Sequence, residues 1–266
     1  MRRGPRSAAA WVLGLVVLGA CGGPRVLTSP SDPRYEFDLG RAEFLRGREV
    51  DAQTHLKRFL DLHPGHALAD SAQLLVGMAM FGSKSYAEAA VEFALFGREF
   101  PRSDLRDDAA YWECMSYFRQ MRPAQFDPTF AQKSADCFVE MEMRFPDSGN
   151  VASAKTRRSE ITDRLAEKEY RLGVLFTKMK KPAAGRIYLG GILRDYPNSS
   201  WVPPSLLWIG RAWETDGKPA DAAASYRRLI DGFPESRPAA EARERLRALV
   251  ARDSSLEQAA ARTPEP

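Results

Sequence analysis

Few residues in this chain have the types and spacing that catalysis or ligation would need. Gly77-Met-Ala-Met-Phe-Gly82-Ser83-Lys84-Ser85 approaches a phosphate-cradling loop, but there the lysine must directly follow the second glycine, and here Ser83 intervenes. No strand-like run precedes it. The only three histidines are His55, His63 and His66, and no acid or cysteine lies at ligand spacing beside His63 and His66. Gly-x-Ser-x-Gly and His-Glu-x-x-His are both missing, and no nucleophile has a base at hand. The reading is therefore a binding protein, with no enzyme activity, cofactor or metal expected.

Cys21 is the residue best placed for covalent chemistry. Arg2, Arg3 and Arg6 form a positive start, and Ala8 to Ala20 is an uncharged apolar run of thirteen residues. That is shorter than the roughly 20 residues a spanning helix needs and suits the apolar region of a secretory signal. The run ends Leu18-Gly19-Ala20-Cys21, which resembles a bacterial lipobox. The resemblance implies a signal peptide over residues 1–20, cleavage before Cys21, and acylation there. Several acyl chains suffice for stable anchoring where one does not. Gly22, rather than an aspartate, follows the cysteine, so the expected address is the periplasmic face of the outer membrane. The formal charge is +4, and losing the three signal arginines leaves +1, too little to suggest nucleic acid. Residues 21–34 hold Pro24, Pro30 and Pro33 and read as a flexible, lipidated tether.

The other cysteines, Cys114 and Cys137, fall on paired helices in an oxidising compartment. They are either a disulfide or two small buried apolar side chains.

These positions are set by a repeat. Residues 72–101 carry Gly77, Ala89, Phe93 and Pro101, the spacing of a tetratricopeptide (TPR) helix pair. Gly82 is expected to close the first helix in the left-handed conformation, and Ser85 to Glu88 to open the second as a capping box. Residues equivalent to Gly77 are Gly40, Cys114, Gly173 and Gly210, at spacings of 37, 37, 59 and 37. The terminal prolines Pro64, Pro101, Pro146, Pro197 and Pro234 are spaced 37, 45, 51 and 37. Five units result, over residues 35–64, 67–101, 104–146, 150–197 and 203–234. Two carry insertions, a loop near 121–127 and a lengthened helix entering the fourth. That helix should run from Asn150 to Lys180, with its many charges on a solvated face. Ser134 and Gly185 stand where the other repeats have alanine, so the fourth unit matches least well. A cap over 238–252 and a disordered tail over 253–266 complete an all-α, right-handed TPR solenoid of five helix-turn-helix repeats with a C-terminal capping helix.

TPR proteins generally line their concave face from the first helix of each pair. Mapping those positions gives Phe37, Phe44 and Leu45 in repeat 1, Leu74, Met78 and Phe81 in repeat 2, and Tyr111, Met115 and Phe118 in repeat 3. Thr177 and Glu214 take the place of the repeated phenylalanine in repeats 4 and 5. An aromatic and methionine-rich groove is thus expected in the first three units, suited to varied apolar segments. The alternative is that these side chains are core between repeats.

The run Arg164-Leu-Ala-Glu-Lys-Glu-Tyr170 followed by Leu193-Arg-Asp-Tyr-Pro197, within a five-TPR lipoprotein, resembles the BamD family. BamD is the TPR lipoprotein of the outer-membrane β-barrel assembly machine. The resemblance covers about residues 35–252. It implies that the N-terminal repeats receive targeting segments of unfolded outer-membrane proteins, and that the C-terminal repeats dock on POTRA domains of the barrel subunit BamA. The rival reading is a periplasmic TPR adaptor lipoprotein for cell-wall or Tol–Pal machinery. The Tol–Pal coordinator precedes its TPRs with a trimerising coiled coil, which residues 22–33 do not supply.

Overall fold

The computed structural model describes residues 29–256. The signal segment, Cys21, most of the tether and residues 257–266 lie outside the described residues. Eleven α-helices and no strand occur among the described residues. They are α1 (Tyr35–Leu45), α2 (Glu49–Leu62), α3 (Ala69–Gly82), α4 (Tyr86–Glu99), α5 (Arg106–Gln120), α6 (Thr129–Arg144), α7 (Val151–Lys178), α8 (Pro182–Asp195), α9 (Val202–Thr215), α10 (Pro219–Gly232) and α11 (Arg237–Arg252). None is long and apolar enough to cross a membrane. The chain divides into two compact units, one holding residues 29–122 and Thr129–Arg158, the other Pro123–Pro128 and residues 159–256.

In the first unit, α1/α2, α3/α4 and α5/α6 form successive antiparallel hairpins. A Cβ at Gly40 would lie 2.6 Å from Leu56 Cγ, and one at Gly77 would lie 2.6 Å from the Phe93 ring. These helices approach too closely for any side chain at the crossing. The third hairpin has no glycine there. Instead Cys114 and Cys137 form a disulfide, with Cα atoms 5.3 Å apart, and Ser134 Oγ donates to the Cys114 carbonyl at 3.1 Å. Ala52, Ala89 and Ser134, and their partners Leu56, Phe93 and Phe138, are all buried.

The second unit repeats the device. A Cβ at Gly173 would meet Leu189 Cγ at 2.5 Å, and one at Gly210 would clash with the Tyr226 ring. The α7/α8 crossing uses glycine on both helices, because the Gly173 carbonyl lies 2.9 Å from where a Gly185 Cβ would stand. Thr177 fills the remaining space, its Oγ1 donating to the Gly173 carbonyl at 2.9 Å. A core of Leu206, Ala222, Tyr226, Leu229, Ala242, Leu246 and Leu249 continues onto α11.

Several local expectations need correction. Gly82 does not adopt positive φ. The left-handed positions among the described residues are Gly47, Lys84, Lys180 and Gly217, each in a hairpin turn, with 37 residues separating each glycine from the nearest lysine. Gly82 is small because the Glu49 carboxylate packs against it, 2.5 Å from the site of a Cβ. Ser85 stands at the start of α4 but its side chain makes no capping hydrogen bond. The approach to three first helices is held by a serine two residues after the terminal proline. Ser103, Ser148 and Ser199 Oγ accept from the backbone N–H groups of Leu105, Asn150 and Trp201 at 3.1–3.2 Å. His66 Nδ1 does the same for Leu68 at 3.1 Å. Aspartates on the first helix of the preceding hairpin lock these turns: Ser103 Oγ donates to Asp70 at 2.8 Å, Asn150 to Asp108 at 2.7 Å, and Ser199 to Asp163 at 2.6 Å.

Residues 29–34 form hydrogen-bonded turns into α1, with Asp32 N–H donating to the Ser29 carbonyl at 2.8 Å. Leu256 is buried in the α11 core. The lengthened helix is α7, 28 residues long. Its charges are partly intrahelical, as in Arg171–Glu167, and partly tertiary, as in Arg158–Glu142 at 3.3 Å.

Two measurements test this packing. Gly77→Ala should destabilise the protein by about 1–3 kcal/mol through overpacking against Phe93. Gly190→Ala, where a Cβ meets nothing within 4 Å, should instead gain roughly 0.5–1 kcal/mol from helix propensity. Urea unfolding of both variants checks the contrast. Replacing Cys114 and Cys137 by alanine should cost about 3 kcal/mol, the loop-closure effect expected for a 23-residue separation. Reductant should then lower the midpoint of the native chain and leave that of the double variant unchanged.

Candidate functional site

The eight candidate groove residues separate into two groups. Phe37, Leu74 and Tyr111 are 5%, 7% and 8% exposed and belong to the core. Phe37 packs on Phe59 with ring centroids 5.5 Å apart, and Tyr111 on Phe138 at 6.0 Å. Each lies three residues before the small residue of its hairpin, on the face turned to the partner helix. Their expected role as groove lining is therefore corrected. Phe44, Met78, Phe81, Met115 and Phe118 are half-buried. They follow the small residue by one or four positions, and Phe44, Phe81 and Phe118 stand beside the hairpin turns, where helix packing ends. Leu45 is exposed.

Phe81 is the centre of an aromatic row. Its ring meets Tyr86 at 5.1 Å and Trp112 at 5.0 Å, both edge-on, a preferred geometry for aromatic pairs. Cations flank the row. The Arg119 guanidinium lies 5.8 Å from the Tyr86 ring centre, and that of Arg157 lies 5.5 Å from Phe118. Tyr86, Trp112 and Arg119 were not among the sequence candidates. Trp112 and Arg119 directly follow candidate positions, and Tyr86 sits at the turn, so their types carried the signal while the repeat template passed over them. The row offers aromatic faces, two polarizable methionines and guanidinium groups, a surface for an extended apolar segment with a polar or anionic end.

The corresponding line in the second unit is polar. Thr177 is buried, and Glu214 accepts hydrogen bonds from the Tyr226 hydroxyl and from Arg245. Arg245 also pairs with Glu241, as does Arg211. Burial, followed by the hydrogen bond to Glu214, pushes the Tyr226 phenol far above its ordinary range. Beside this network Trp208 lies under Arg211, with a 4.5 Å separation.

The histidines have structural partners. His55 Nδ1 is 2.7 Å from Glu36, the His63 ring lies tilted against Phe59, and His66 Nδ1 accepts from the Leu68 N–H. Among the described residues no group of three or more histidine, cysteine, aspartate or glutamate side chains is arranged to hold a metal ion. Gly77 to Ser85 lies in α3 and the turn after it, with no strand before it.

Comparison with known proteins places this geometry in a family. The family model described as an outer membrane lipoprotein (YfiO) matches residues 32–220, and a tetratricopeptide repeat model matches residues 205–236. A curated relative from Neisseria meningitidis serogroup A, outer membrane protein assembly factor BamD, is 26% identical over 212 residues, covering 80% of this chain and 69% of that protein. The protein of the same name from Caulobacter vibrioides is 21% identical over 201 residues, covering 76% of this chain and 66% of its own length. Among solved structures, a TPR protein from Thermus thermophilus aligns with 83% of this chain and 100% of its own at 13% identity. Its TM-score of 0.38 is too low to carry an argument. The family model spans well over half of the chain and the repeats are present in the structure, so this chain belongs to the YfiO/BamD family of outer membrane lipoproteins.

Proposed function

We propose that this protein is a non-catalytic scaffold for assembling outer-membrane proteins, anchored through acylated Cys21 on the periplasmic face of the outer membrane. The row centred on Phe81, with Phe44, Met78, Met115 and Phe118, holds an extended apolar targeting segment of an unfolded client. A surface of the second unit docks on POTRA domains of a BamA-like barrel subunit. Holding both raises the client's effective concentration at the barrel.

The observation that carries this reading is the half-open aromatic row, found in the unit where the family resemblance leads one to look for client binding. It is supported by relatives named as assembly factors. A row of aromatic faces and methionines suits clients whose segments share apolar character more than sequence.

The test is co-purification. The C-terminally tagged chain, solubilised from membranes in mild detergent, should bring down a large barrel protein with POTRA domains and unfolded clients. Phe81→Ala and Phe118→Ala should retain the barrel protein while weakening client binding roughly tenfold. Cell-wall hydrolases or Tol–Pal components recovered without the barrel would overturn the reading.

A further inference from the structure

The first unit has a second concavity, away from the aromatic row. Helices α4 and α6 form its walls and α5 its floor, enclosing an open cleft of about 480 Å³. It exists because the side chains that would fill it are small. Ala94 and Gly97 on α4 and Ala110 on α5 face the space, and a Cβ at Gly97 would meet nothing within 4 Å. The Cys114–Cys137 disulfide and Met141 complete its apolar lining. At about 100° per residue, Glu113 stands roughly 150° around α5 from Met115 and Phe118. The cleft and the aromatic row therefore use different faces of one helix.

The charges in the cleft are unevenly satisfied. Arg144 pairs with Glu140 at 3.1 Å and lies over the Phe145 ring. Arg106 donates to the Ser103 carbonyl at 3.0 Å and shares that ring. Lys133 lies over Tyr117, 5.1 Å from its centre, and Asp136 accepts from Gln132 at 2.9 Å. Arg98 remains on the rim. On the floor, among the described residues, Glu113 forms no ion pair and accepts a single long hydrogen bond, 3.5 Å, from the Tyr117 hydroxyl. Burial and then the neighbouring Glu140 push its carboxyl up, outweighing Arg144 and Lys133. Arg144 and Lys133 lie near enough to act on Glu113, yet neither forms an ion pair with it, and its half-buried carboxyl faces open space beside an aromatic ring.

We propose that this cleft is a second docking surface, receiving a partner polypeptide segment anchored by an arginine side chain that runs over Ala94, Gly97 and Ala110 and places its guanidinium on Glu113. Arginine fits better than lysine because its planar fork pairs with a carboxylate in two hydrogen bonds and stacks on a ring face. Its aliphatic stem needs the apolar lining that the small residues and the disulfide provide. The volume accommodates such a side chain with flanking backbone, and Arg98 on the rim is placed to meet an acidic or carbonyl group next to it. This surface is additional to client binding, and the two readings fail separately.

The experiment is a titration of the whole mature chain, in detergent, with acetyl-Ala-Ala-Arg-Ala-Ala-amide and with the same peptide carrying glutamine for arginine, followed by ¹H–¹⁵N spectra. The arginine peptide should give saturable shifts at Gly97, Ala110 and Glu113, and the glutamine peptide should bind about tenfold more weakly or worse. Glu113→Gln should lose about tenfold in affinity for the arginine peptide, whereas Glu88→Gln, which removes an exposed carboxylate elsewhere on α4, should not. The Glu113→Gln protein should be well folded. A carboxyl with a raised pKa in the folded state destabilises that state when ionised, so the variant should be more stable than the native chain at neutral pH. That gain should shrink as the pH falls through the raised pKa. Equal binding of the two peptides, shifts that avoid the cleft, no saturable shift, or undiminished affinity in Glu113→Gln would each overturn the proposal.

Discussion

The structure depends on one steric constraint, that the two helices of each hairpin cross with almost no side chain between them. Gly40, Gly77, Gly173 and Gly210 provide the gap, and Leu56, Phe93, Leu189 and Tyr226 fill it from the opposite helix. A fully buried side chain of this size contributes about 1.5–3 kcal/mol of apolar burial, and the contact recurs along the chain. The third hairpin meets the same constraint covalently. Its cysteines sit at the crossing, and Ser134 takes the alanine position while satisfying the Cys114 carbonyl. Close approach also fixes the rotation of every first helix. In the first unit residues three positions before the small residue are core, and those one or four positions after it are half-buried and emerge toward the surface.

Function follows from what occupies those emerging positions. In the first unit they are phenylalanine and methionine everywhere but Arg41, and the row extends to Tyr86 and Trp112 with arginines at its edges. In the second unit the equivalent positions are Thr177 and Glu214. One is consumed in packing and the other in a network with Tyr226 and Arg245. The same backbone device therefore presents an apolar, adaptable surface in one unit and a fixed, charge-paired one in the other. Aromatics and methionine suit a variable ligand, whereas committed ion pairs suit a partner of constant shape.

Much of this was legible in the sequence, because repetition turns a weak signal into a registered one. The small residues, the buried residues sixteen positions later (twenty-four in the third hairpin) and the terminal prolines give every hairpin by number alone. What was misread is local. Gly82 looks like a helix-closing glycine, yet the left-handed residue is Lys84, and Gly82 is small to admit Glu49. The serine two residues after four of the five terminal prolines recurs with them, and His66 takes its place after Pro64, but the hydrogen bond each makes ahead of a helix shows only when the backbone turns toward it. In the candidate site, Phe44, Phe81 and Phe118 were legible as a series, while Phe37, Leu74 and Tyr111 were misassigned. Residue type cannot distinguish a groove aromatic from a core aromatic one turn away. The cleft over Glu113 was invisible, since its defining feature is what Ala94, Gly97 and Ala110 lack.

The central claim is that the row centred on Phe81 binds unfolded outer-membrane clients. The most direct measurement places a photo-crosslinking phenylalanine analogue at Met115 and adds a purified outer-membrane β-barrel protein diluted from urea. The account predicts a crosslink to an apolar, aromatic-bearing segment of the client, lost when the client is already folded. The analogue at Val91, exposed on α4, should give none. Equal crosslinking from both positions, or none from Met115, would contradict it.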